Sequence, residues 1–199
     1  MVMALQENDL KVLDLAALAG ICFTLLAAFF FQLAWGELPC AFCNLIRVAL
    51  MIFGGGLLLN LWQGFNAWNY VLSAVGGLIG SLISLLFLFV KAPPDSVPTG
   101  SAVFGLHMYS WTFLISTAAG LYCVFMLAFY AMKQAPQASE ILPSGAILKS
   151  KAKPVIAGLF IFLVGANVVS AFLQNGFDHF RAGGQQHYRM LYDGDIMKP

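Results

Sequence analysis

The sequence predicts an all-α fold, a polytopic membrane helix bundle with about five transmembrane helices. Three observations predict it. Charged residues make up 10% of the chain and hydrophobic residues 60%, whereas soluble domains carry roughly 25% charged residues. The apolar residues gather into five runs, each close to the ~20 residues that cross a hydrocarbon core as a helix. All four tryptophans, Trp35, Trp62, Trp68 and Trp111, fall at the edges of these runs, where indole rings form a belt at the membrane–water boundary.

The first run extends from Val12 to Trp35, with Asp14 near its inner end. Glu7, Asp9 and Asp14 surround a single Lys11, and the run outlasts the ~7–15 apolar residues of a cleavable signal, so it reads as a retained span. Leu45 to Trp62 is the second run, interrupted only by Arg47 near its start. The third, Tyr70 to Val90, is uncharged. The stretch from Ala102 to Met132 is too long for one simple crossing; it is expected to open with an interfacial segment and to cross over 109–132. Val155 to Leu173 is the fifth, followed by a tail over 174–199. The whole chain, 1–199, has room for one integral membrane domain. Gly54, Gly55, Gly56, Gly76 and Gly80 mark expected helix contacts, because small residues let backbones approach closely in lipid.

A net charge of +1 leaves no electrostatic footprint for nucleic acid. The natural partner of this composition is membrane lipid. With the N-terminus inside, the inner side would hold Lys11, Lys133, Lys149, Lys151 and Lys153. The outer side would hold Arg47, Lys91, Arg181, Arg189 and Lys198. Four of the inner lysines share one loop beside two spans, where the positive-inside rule counts most. This leans towards the 36–44 loop and the tail facing outwards.

That loop carries the chemistry. It reads Leu38-Pro39-Cys40-Ala41-Phe42-Cys43, with Arg47 four residues later. Two intervening residues let both sulfurs meet in a small ring, so a disulfide can open and close with little backbone movement. Cys43 lies at the start of the second helix, whose N-terminal dipole stabilises a thiolate. Arg47 falls one turn further along the same face. A fixed cation there lowers a thiol pKa or holds an anionic partner, and the thiolate is the species that exchanges disulfides. Other readings of the pair stay open: half a metal site completed by His107, His179 or His187, though without a regular ligand spacing, or a structural disulfide. Arg47 has an alternative as well, snorkelling to the interface. The other two cysteines, Cys22 and Cys123, lie mid-span and read as apolar packing residues.

Pro39-Cys40-Ala41-Phe42-Cys43 followed by Arg47, between a first and a second span, resembles the disulfide bond formation protein B (DsbB) family. The stretch Gly105-Leu106-His107-Met108-Tyr109-Ser110-Trp111 resembles a pattern at the start of a later span in its five-helix members. The resemblance implies a thiol:quinone oxidoreductase of the bacterial inner membrane. Cys40 and Cys43 would then be the quinone-reactive pair, Arg47 would sit by the quinone, ubiquinone by this reading, and His107 would be a second cofactor-binding candidate. It implies a periplasmic CxxC loop and tail, no metal, and as partner a periplasmic thiol oxidase of the thioredoxin-like type or another membrane subunit. Family members typically carry a second outer cysteine pair. Here the stretch after the last span is Gln174-Asn175-Gly176-Phe177-Asp178-His179-Phe180, without cysteine. The alternative function is accordingly a non-catalytic or partner-dependent membrane subunit that keeps a quinone-binding or structural CxxC site.

Overall fold

The computed structural model describes residues 7–93, 102–134, 152–176 and 187–192. Lys149 and Lys151 of the loop expected inside, and His179, Arg181 and Lys198 of the tail, lie outside these residues. Five long helices form the bundle: α1 (Glu7–Ala34), α2 (Ala41–Gln63), α3 (Ala67–Lys91), α4 (Met108–Gln134) and α5 (Ala152–Asn175). A two-stranded ribbon, β1 (Ala102–Val103) and β2 (Leu106–His107), precedes α4, and a single turn of helix, α6 (Arg189–Tyr192), follows α5. All five long helices are apolar enough over 18 residues or more to cross a membrane. The protein is therefore a multi-pass helical membrane protein.

Each helix starts earlier than its apolar run, because a cap and a first turn need not be apolar. Cys40 caps α2, whose apolar run begins only at Leu45, so Cys43 belongs to the first turn of the helix, at its start as the sequence places it. Asn66 caps α3, its side chain accepting the Trp68 N–H at 3.0 Å. Pro154 sits in the first turn of α5, where a missing N–H removes no helical bond. The expected interfacial segment before α4 is the ribbon. Phe104 and Gly105 both take positive φ at its tip, +51° and +78°, the signature of a two-residue type I′ turn.

Close helix approaches occur where the small residues lie. A Cβ on Gly76 would stand 2.5 Å from the Phe53 backbone nitrogen, and one on Gly77 2.8 Å from that of Gly120. Thus α3 presses against α2 on one side and α4 on the other, its two most extensive contacts. Gly54 faces the Phe160 ring of α5, and Gly56 faces Ser73 of α3. Gly55 meets nothing within 4 Å; the 100° helical step turns it away from both neighbours, so it is not a contact residue.

The bundle is tied at both ends by buried polar groups. At the end where α1 and α3 begin, Asp14 is 1% exposed. Its carboxyl accepts the Tyr70 hydroxyl at 2.8 and 2.7 Å and the Tyr122 hydroxyl at 2.6 Å, joining α1, α3 and α4. Cys22 and Cys123 are both buried in the apolar core between the two ends. The opposite end holds Cys40, Cys43 and Arg47.

Candidate functional site

Cys40 caps α2 and Cys43 lies in its first turn. The Cys40 sulfur accepts the backbone N–H of Cys43 at 3.4 Å, as an N-cap side chain does. The two sulfurs are 3.0 Å apart in the dithiol form. The Cys43 thiol next to Cys40, aided by the backbone N–H groups of Cys43 and Phe42, outweighs burial and pulls the Cys40 thiol down to about 6. Sequence spacing points to Cys43 as the residue favoured by the helix dipole. The structure keeps Cys43 in the first turn and adds Cys40 as the cap, because the helix begins one residue after Cys40.

Arg47 lies one turn below Cys43 and is 8% exposed. One terminal nitrogen, Nη1, donates to Gln32 Oε1 at 2.7 Å and to Asn167 Oδ1 at 3.4 Å. The other, Nη2, donates to the Ala28 carbonyl at 3.1 Å. The guanidinium also stands over the Phe29 ring, 5.4 Å from its centroid. Every acceptor is neutral, and no carboxylate among the described residues pairs with it. A buried arginine so arranged is fixed in direction yet keeps its charge for whatever enters beside it.

Both cysteines and Arg47 open onto one cavity of about 270 Å³. Its walls are mainly apolar and aromatic, with Leu25, Phe31, Ile46, Leu50 and Phe87, and Thr24, Tyr109 and Thr112 also line it, the two threonine hydroxyls donating to the Gly20 and Tyr109 carbonyls at 2.9 Å. Phe87 is held by Phe42, stacked at 5.2 Å, and by Tyr109, edge-on at 5.2 Å. Glu37 completes the polar rim. The sequence-predicted Cys40, Cys43 and Arg47 are thus brought together. His107 is placed one residue outside the lining: its ring stacks on Tyr109 at 5.3 Å. Its Nδ1 is buried without a hydrogen-bond partner among the described residues. Among the described residues no three His, Cys, Asp or Glu side chains are placed to hold a metal ion.

A second set of residues was not singled out by sequence reasoning. Gln32 of α1 donates through Nε2 to Ser170 at 2.7 Å and to the Tyr188 hydroxyl. Gln174 of α5 donates to the Pro39 carbonyl at 2.7 Å and accepts from Asn44 at 3.5 Å. Although 174 opens the predicted tail, Gln174 belongs to the last turn of α5 and is 1% exposed. The available signal was the spacing of Asn167, Ser170 and Gln174, three and four residues apart, which puts three polar groups on one face of an apolar helix.

Residues 11–101 match the sequence model of a family described as disulfide bond formation protein DsbB. The matched segment carries the first three spans, the cysteine pair and Arg47. No curated protein and no solved structure matches the chain. Over residues 11–101 the chain is similar to the DsbB family, and its five long apolar helices make it a multi-pass membrane protein.

Proposed function

We propose that the protein is a membrane thiol:quinone oxidoreductase, in which a partner dithiol is oxidised through Cys40 and Cys43 and the electrons leave to a quinone, ubiquinone by our reading. The observation that carries this is Arg47, a buried cation with only neutral partners, beside the cysteine pair on an aromatic-walled cavity. The residues fit a quinone headgroup. At about 270 Å³ the cavity lies just below the ~300–1,000 Å³ range of drug-sized ligand sites, room for one substituted ring. Arg47, through N–H groups not given to Gln32, Asn167 and Ala28, would hold an oxygen of the ring, with Phe31 and Phe87 against its faces. A quinone there supplies an acceptor for the two electrons and two protons released when the dithiol closes to a disulfide.

The chain's own residues supply the remainder. A partner thiolate attacks the Cys40–Cys43 disulfide, forming a mixed disulfide and freeing one thiolate. The partner's second thiol displaces the mixed disulfide, leaving the partner oxidised and the pair reduced. Cys40 then holds its charge through the Cys43 thiol and the backbone N–H of Cys43, which readies it for the next closure. Arg47 stabilises negative charge that develops across the cavity, at a site where apolar walls keep the dielectric low. The partner is a thioredoxin-like thiol oxidase on the periplasmic side, or a membrane subunit bearing the second cysteine pair. The four cysteines of this chain leave no pair beyond Cys40–Cys43 on an outer loop, so the partner's dithiol meets that pair directly.

The test is oxidation of dithiothreitol by purified protein with a soluble ubiquinone analogue, followed by quinone absorbance. Turnover is expected, with loss in Cys40→Ser and Cys43→Ser. A folded sample that binds the analogue but does not turn over would leave the non-catalytic subunit reading in its place.

A further inference from the structure

The polar groups around Arg47 come from three separate parts of the chain, and they meet at one amide. Gln32 is 2% exposed. Its side chain carries one acceptor oxygen and two N–H donors, and all are used. Arg47 presents only donors, so Gln32 Oε1 must face it, and the bond is 2.7 Å. That orientation sends both Nε2 hydrogens the other way, where Ser170 Oγ at 2.7 Å and the Tyr188 hydroxyl accept them. Flipping the amide would aim an N–H at the guanidinium, so Arg47, which only donates, fixes which side of the amide faces it. Ser170 and Tyr188, which accept both Nε2 hydrogens in that orientation, hold the side chain in place against Arg47. Ala28, whose carbonyl takes Nη2 at 3.1 Å, lies one turn before Gln32 on the same face of α1.

We infer that Gln32 is a positioning residue for the redox site, which aims Arg47 into the cavity with its charge unneutralised, and that Ser170 and Tyr188 hold Gln32 in the orientation that does so. This rests on the quinone reading for its purpose, though the lock itself does not. Gln32 is not among the cavity-lining residues, so its influence passes through Arg47. Ser170, Tyr188 and Asn167 all lie outside the family-matched segment 11–101. The second half of the chain thus sets the electrostatics of a centre whose reactive residues all lie in the first half.

Gln32→Glu is the informative variant, since it keeps shape and size but puts a carboxylate against Arg47. The ionisable groups that face Cys40 among the described residues are Cys43 and Arg47 of α2, Glu37 of the preceding loop and Tyr109 of α4, with Tyr188 behind Gln32. The first measurement uses reduced, quinone-free protein: the rate of iodoacetamide alkylation against pH. In the wild type the midpoint should lie near pH 6, where Cys40 ionises. In Gln32→Glu it should move upward by roughly half to one pH unit, because the added charge cancels part of the cation's field. Tyr188→Phe, which frees one Nε2 hydrogen, should shift it less. The second measurement is the affinity for the soluble ubiquinone analogue, expected to weaken about tenfold in Gln32→Glu. An unchanged alkylation profile and unchanged affinity in a variant that elutes and melts as wild type would overturn the role of Gln32. If the wild-type protein itself bound no quinone, the proposed function would fall, while the alkylation shift would still decide the lock.

Discussion

At the residue scale the site divides labour between Cys40, Cys43 and Arg47 by their distance from the helix start. Cys40 is the cap, and two donors converge on its sulfur. Its thiolate is the populated form above about pH 6 and falls tenfold for each unit below. Alkylation of the reduced protein should therefore slow on acidification through pH 6, and Cys40→Ser should abolish that limb while Cys43→Ala raises its midpoint by removing a hydrogen-bond donor. A limb that persists in Cys40→Ser would assign the reactive thiolate to Cys43 instead. Arg47→Lys retains a charge but cannot span Gln32, Asn167 and Ala28 together, since an ammonium lacks the planar fork. We expect its quinone-reduction rate to fall about tenfold or more, and Arg47→Met to lose more, both read by quinone absorbance under saturating thiol.

Among the elements, α3 is gripped from both sides at Gly76 and Gly77. Gly76→Leu has no room, because its neighbour is the backbone of α2 rather than a movable side chain. The expected cost is roughly 1–3 kcal/mol of overpacking, measurable as a lower melting temperature in detergent. Gly55→Leu, facing open space, should be near neutral; equal losses in both would contradict the packing described. The polar face of α5 matters in another way. Asn167, Ser170 and Gln174 are legible as spacing, yet the sequence does not say what a polar helix face meets. Gln174 reaches the carbonyl before Cys40 from 135 residues away, a partnership that no local pattern contains.

For the whole molecule, the two ends of the bundle are held differently. The end where α1 and α3 begin depends on Asp14, which satisfies two phenols at once. Asp14→Ala would strand both hydroxyls, at roughly 1–3 kcal/mol per unpaired buried group, whereas Asp14→Asn keeps an acceptor. The former should melt clearly below the latter. At the other end α6 packs on α5, and Tyr188 reaches Gln32, so the described part of the tail lies on the same face as the cysteine pair. A cysteine placed at the exposed Leu191 should react with an impermeant maleimide from the same side of the membrane as Cys40. Labelling from opposite sides would refute that arrangement.

The sequence by itself determined the solvent, the five crossings, and the candidate trio Cys40, Cys43 and Arg47. These are properties of composition, run length and helical spacing within a few residues, which are local quantities. Only the tertiary structure decided that Cys40 rather than Cys43 receives the helix cap, since that turns on where the backbone first closes. It also placed His107 behind Tyr109 and outside the cavity lining, and gave Arg47 neutral partners from α1 and α5. The physical reason is that a buried charge is defined by what surrounds it, and here those surroundings are assembled from segments up to 120 residues apart.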